Sequence, residues 1–111
     1  MAAFTMNSLT SKGPWVVADG QSTDVSTSTV FLAAITGNSH LVRSIAIDFG
    51  KIDKYIEIYD GTDLQIGPFI CDSKHWSQTF QDGITFEEGV YIKTEADSVT
   101  HVTIEYKIVP R

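Results

Sequence analysis

Apolar and polar residues alternate along most of this chain, and the alternation has the period of two that belongs to a half-buried strand. The clearest case is residues 54–63, Lys54-Tyr55-Ile56-Glu57-Ile58-Tyr59-Asp60-Gly61-Thr62-Asp63. Ile56 and Ile58 point to one side, and Tyr55, Glu57 and Tyr59 to the other. Asp60-Gly61 supplies the positive-φ chemistry of a tight hairpin. Residues 41–49 form a second long alternating strand, with Leu41, Ile45, Ile47 and Phe49 on one face beside Arg43, and Val42, Ser44, Ala46 and Asp48 on the other. The short link 50–53 predicts a hairpin between these two strands.

The remaining segments read the same way. Residues 14–18 form a short strand closed by Asp19-Gly20, and the hydroxyl-rich stretch 20–29 is a polar loop. Residues 30–35 are a continuous apolar run of the length of a buried strand. Residues 64–71 return from the central hairpin, and Gly67-Pro68 marks them as an edge strand or a bulged one. Residues 76–80, 84–86 and 90–94 are short strands, separated by turns at Asp82-Gly83 and Glu87-Glu88-Gly89. After a turn at 95–98, residues 99–109 close the chain with Val102, Ile104, Tyr106 and Ile108 facing in. No segment holds a helical period. Eight or nine short strands in 111 residues predict an all-β fold, an antiparallel β-sandwich of jelly-roll type.

That sandwich spans 14–111 as one domain. Residues 1–13 read as an extended N-terminal arm. The arm is either a loose terminus or a segment that docks on a neighbouring subunit through Phe4, Met6 and Leu9.

Composition narrows the functional classes. The formal net charge is −6, which argues against sequence-independent binding to nucleic acid or to anionic membranes. The single cysteine, Cys71, allows no intrachain disulfide and reads as a small buried hydrophobe. The first residues show neither a basic segment nor a long apolar run, so no signal peptide is expected. No apolar stretch approaches the ~20 residues of a membrane span.

Candidate chemistry is sparse. His40, His75 and His101 are scattered and show no metal-ligand spacing, so they read as ordinary surface or strand-end histidines. No phosphate-binding glycine loop and no nucleophile elbow is present. Asp53, Asp60 and Asp63 gather near the central hairpin. They cap turns, or else Asp53 and Asp60 serve as oxygen ligands for calcium. The tyrosines are more informative. Tyr55 and Tyr59 lie opposite the core-facing isoleucines, where aromatics with polar tips favour an interface. Trp15 and Trp76 are candidate stacking residues for a carbohydrate. The expectation is a protein without catalysis and without a cofactor.

Three motifs carry a resemblance. Ile58-Tyr59-Asp60-Gly61-Thr62, then the run from Phe80 through Asp82-Gly83-Ile84 to Gly89-Val90-Tyr91-Ile92, then Val102-Thr103-Ile104-Glu105-Tyr106 resemble small jelly-roll proteins of tailed-bacteriophage particles. The likeness covers about two thirds of the chain. It implies a virion component, a capsid decoration or cement subunit or a tail or fibre part. Such a subunit is often a homotrimer, contacts capsid or other virion proteins, and is made in the bacterial cytoplasm. Residues 53–61 are also similar to a signature of CUB domains. Those share a jelly-roll-like fold, and some hold calcium through acidic loop residues, here Asp53 and Asp60. The paired cysteines of CUB domains are missing from this chain, and their secretion signal is not expected in it. The alternative function is a carbohydrate- or receptor-binding module.

Overall fold

A computed structural model describes residues 3–94 and 100–111. The described residues form nine strands and no helix: β1 (Thr5–Lys12), β2 (Trp15–Ser22), β3 (Thr29–Ala33), β4 (Asn38–Asp48), β5 (Lys54–Asp60), β6 (Asp63–Cys71), β7 (His75–Phe86), β8 (Gly89–Lys93) and β9 (Thr100–Pro110). The larger sheet has the order β1-β2-β9-β4-β7 and the smaller β3-β8-β5-β6. All pairings are antiparallel. The expected turn at 95–98, with Val99, lies outside the described residues.

From β2 onward the chain is one long hairpin folded over itself. β2 pairs with β9, β3 with β8, β4 with β7, and β5 with β6. The tip is the two-residue turn Gly61-Thr62, with Asp60 opposite Asp63. Lateral pairs β4–β9 and β5–β8 close the two sheets. This is jelly-roll topology, with β1 added at one edge. The expected hairpin between residues 41–49 and the central strand is therefore a crossover. β4 and β5 stand in opposite sheets, and Asp53, at φ 62°, makes the corner. A short polar link suits either connection, so the link alone does not choose between them.

The core lies between the sheets. Ile45, Ile47, Phe49, Ile56, Ile58, Phe86, Val90, Ile92, Val102 and Ile104 are all at most 1% exposed. Cys71 is buried and free, as its type suggested. Burial of these side chains is the main stabilising term, at about 25 cal/mol per Å² of apolar surface.

Two bulges correct the expected faces. On β4 the register shifts between Val42 and Ser44 against both neighbours, and against β9 Arg43 is an extra residue. The shift turns Val42 inward, fully buried, and leaves Leu41 only half-buried. It also sends Arg43 outward, where its guanidinium meets Glu105 at 2.8 Å. The expected turn at Asp82-Gly83 is not a turn. β7 runs unbroken through it, and residues 80–83 bulge opposite Arg43 alone. Gly83, at φ 79°, supplies a left-handed step that bulges and turns both use. Asp19-Gly20 also lies inside a strand. Gly20 is needed because β1 and Phe31 both close on it: a Cβ there would stand 2.9 Å from the Thr5 carbonyl oxygen and 3.0 Å from the Phe31 ring.

The segment expected as an arm is extended, and it is β1, paired along β2. Phe4 is not a free anchor. Its ring packs edge-on against Phe31, centroids 5.1 Å apart.

His40 is also not at the surface. It is 3% exposed and packs against the Tyr106 ring, centroids 5.3 Å apart. Burial holds its imidazole below its ordinary value of 6.5. The unfolded chain therefore takes up a proton that the fold resists. The resulting stability is fully present above about pH 6.5 and declines as pH falls from there toward the lowered folded value. Glu105 acts with the same sign at lower pH, because hydrogen bonding to Arg43 holds it below 4.5. Urea unfolding across pH 7.5 to 5 is expected to show His40→Gln with a shallower pH slope than the parent. Equal slopes would mean that His40 protonates freely in the fold.

Candidate functional site

The outer face of the smaller sheet carries one continuous row of large side chains. Val30 on β3 stands opposite Tyr91 on β8, Tyr91 opposite Tyr59 on β5, and Tyr59 opposite Leu64 on β6. Cross-strand partners share a face, so the row spans the whole sheet. Beside it Tyr55 stands opposite Ile70, the most exposed of the large hydrophobics at 62%. Val30 and Leu64 are exposed as well. Tyr55 and Tyr59 thus face away from Ile56 and Ile58, as alternation required. Their partners Tyr91, Leu64 and Ile70 were not singled out by the sequence, because a strand's neighbours are set by topology. The residue pattern already placed Tyr91 outward, between the inward Val90 and Ile92.

Polar contacts fix Tyr59 within this row. The Tyr59 hydroxyl donates to Glu57 Oε2 at 2.6 Å, and Lys93 Nζ lies 3.8 Å from Glu57 Oε1. The Glu57 carboxylate raises the Tyr59 phenol above its ordinary value, first through that hydrogen bond. Depressions of about 630 and 370 Å³ flank the Gly61-Thr62 turn and reach Tyr91 on one side and Tyr59 and Lys93 on the other. The turn is braced from below. Asp60 accepts from the amides of Glu87 and Glu88 at 3.1 and 2.6 Å, and the Gly61 amide donates to the Gly89 carbonyl. Arg111 holds the same corner through the Glu87 carbonyl and the Glu87 and Glu88 carboxylates.

That bracing bears on the calcium expectation. Asp60 spends both carboxylate oxygens on amides. Asp53 and Asp60 lie at opposite ends of β5, roughly 20 Å apart at ~3.3 Å per residue. The two cannot share one ion. Among the described residues no group of three or more His, Cys, Asp or Glu is placed to hold a metal.

The outer face of the larger sheet holds a groove of about 500 Å³. Asp48 on β4 is flanked by His75 on β7 and His101 on β9, directly opposite on each side. His75 Nδ1 is 3.4 Å from Asp48 Oδ2. These histidines are far apart in sequence and are brought together only by strand register. Ser77, Thr103 and an edge of Trp76 complete the groove. Trp76 is otherwise packed on Phe69, centroids 5.6 Å apart, against the core. Trp15 lies elsewhere and is already covered, with the Arg43 guanidinium 4.1 Å from its ring centroid and Lys107 Nζ at 5.1 Å. Neither tryptophan offers a bare ring for stacking on a sugar.

Fold and surfaces together define a jelly-roll β-sandwich with a tyrosine-lined outer face on its smaller sheet. Comparison with protein-family models, with curated proteins and with solved structures gives no match to this chain.

Proposed function

We propose that this chain is a non-enzymatic structural subunit of a phage particle, of capsid decoration or cement type, working by surface contact. The observation that carries the reading is the row Val30–Tyr91–Tyr59–Leu64 with Tyr55–Ile70 beside it. It is a largely apolar strip on an otherwise acidic protein, with the Tyr59 hydroxyl held by Glu57, which Lys93 pairs in turn. Tyrosine-rich patches with apolar neighbours suit protein contact, since large rings bury area at low entropic cost. The phage-protein motifs support the same reading. Tyr59-Asp60-Gly61-Thr62 forms the end of this face, and Gly89-Val90-Tyr91-Ile92 supplies its second tyrosine.

The test is gradient sedimentation of particles from the phage-producing host. The parent chain is expected to travel with the particles. The double variant Leu64→Lys, Ile70→Lys changes only exposed positions, and should keep its fold yet fall at least tenfold in particle-bound fraction. A parent chain that stays at the top of the gradient while particles are complete would overturn the reading. The second reading, a carbohydrate- or receptor-binding module, draws on the Asp48–His75–His101 groove. It predicts glycan binding that the double variant retains and Asp48→Ala loses.

A further inference from the structure

The larger sheet has five strands and the smaller four, and the mismatch falls at β1. β3 lies over β2, where Phe31 crosses Gly20, and Phe4 covers only the start of β1. Leu9 stands opposite buried Ala18, on the core side of the sheet, yet it is 61% exposed. Every residue of β1 is exposed, and among the described residues β1 pairs only with β2. Its outer edge therefore presents unpaired backbone groups beside the uncovered Leu9 side chain.

The other three sheet edges carry features that discourage pairing. β3 is five residues long with a bulge, β6 holds Pro68 and a bulge, and β7 bulges over 80–83. In β1 the register shifts once, between Met6 and Ser8, and then runs regular from Ser8 to Lys12. Charge separates this edge from the rest of the molecule. All fourteen carboxylate side chains lie at Asp19 or beyond, and β1 carries a single charge, Lys12. Two copies of a chain with net charge −6 repel wherever carboxylates meet, and this edge has none.

We propose that β1 is a self-pairing site, at which two copies join edge to edge, antiparallel, about a two-fold axis. This deepens the assembly reading and rests on it, at a surface distinct from the tyrosine face. A two-fold contact joins the same patch on both copies. The regular stretch centres on Thr10, so Thr10 faces the partner's Thr10 and Lys12 faces the partner's Ser8. The two lysines then sit at opposite ends of the pair. The two Leu9 side chains become diagonal neighbours on the uncovered side, about 7–8 Å apart. The five-stranded sheets become one ten-stranded sheet, with a two-fold pair in place of the trimer that the resemblance implies.

Light scattering behind a sizing column, over a dilution series, tests this. The parent and the Leu64→Lys, Ile70→Lys variant are expected at twice the 12.2 kDa chain mass. Leu9→Lys, an inward-facing charge on the edge, should run at the single-chain mass with an unchanged far-ultraviolet spectrum. Amide exchange of the parent provides a readout without mutation: residues 8–12 should exchange more slowly as concentration rises, and the edge of β6 should not change. A single-chain mass for the parent at millimolar concentration overturns the proposal. So does a trimer mass, a pair unaffected by Leu9→Lys, or exchange at 8–12 that ignores concentration. Paired protein that fails to sediment with particles would overturn the virion reading and leave the edge pairing standing.

Discussion

Replacing Phe86 with alanine should cost about 3–5 kcal/mol of folding stability, the range for deleting a large buried aromatic. Phe86 ends β7, opposite His40 on β4, and is completely buried. Its ring fills space between the two sheets, so truncation loses the transfer energy of the removed carbons and leaves a cavity that β strands held on both sides cannot close. A domain of this size has about 5–15 kcal/mol in total. The melting temperature should therefore fall by more than about 12 °C, at ~4 °C or more per kcal/mol. Ile70→Ala is the matched control. It removes an aliphatic side chain from the exposed outer face and should stay within about 0.5 kcal/mol. Urea unfolding of both variants checks the pair. A loss below 1 kcal/mol for Phe86→Ala would mean that the sheets can slide together over the gap.

Gly67→Ala should be nearly as costly, for a different reason. Gly67 sits at φ 94°, where a side chain is strained, and an added Cβ would collide with the carbonyl oxygen of Ile56. That oxygen belongs to the backbone of β5 and cannot swing aside as a flexible side chain can. The expected loss is about 3 kcal/mol or more, combining left-handed strain with displacement of the strand. Gly37→Ala separates the two contributions. Gly37 also has positive φ, 78°, but nothing lies within 4 Å of its added Cβ, so it should lose only about 1 kcal/mol. The position also reaches the proposed interface. Gly67 and Pro68 bulge opposite Glu57, the residue between Tyr55 and Tyr59 that holds the Tyr59 hydroxyl. Gly67→Ala should therefore lower particle association along with stability, whereas Leu64→Lys, Ile70→Lys lowers association alone. Equal stability losses for Gly67→Ala and Gly37→Ala would show that β5 yields to the methyl group.

Edge and face divide the work in the assembled form we propose. In that form the tyrosine face would contact other proteins, and β1 would join like to like. The two surfaces belong to different sheets, so both can be occupied at once. The Asp48–His75–His101 groove lies on the outer face of the β1 sheet, at β4, β7 and β9, two strands or more from the paired edge.

Alternation along the chain was enough to read the all-β class, most of the strands and most of the inward residues, although β1 read as an arm and β7 as two pieces. Side chains alternate with a period of two, and burial follows that period directly, as at Ile56, Ile58, Val102 and Ile104. It also determined that Tyr55 and Tyr59 face outward. Packing of the strands sets what alternation does not encode. The bulge at Arg43 exchanges Leu41 for Val42 in the core, because one unpaired residue reverses every later face. Gly83 serves a bulge, Gly20 a close approach and Gly61 a turn, although all three follow an aspartate or a similar turn signal. Strand neighbours were also beyond reach. Tyr91 meets Tyr59, and His75 and His101 meet Asp48, through hydrogen-bond register between segments 27 to 53 residues apart. β1 is an exposed edge because five strands face four, a mismatch of layers that exists only once the sheets have packed.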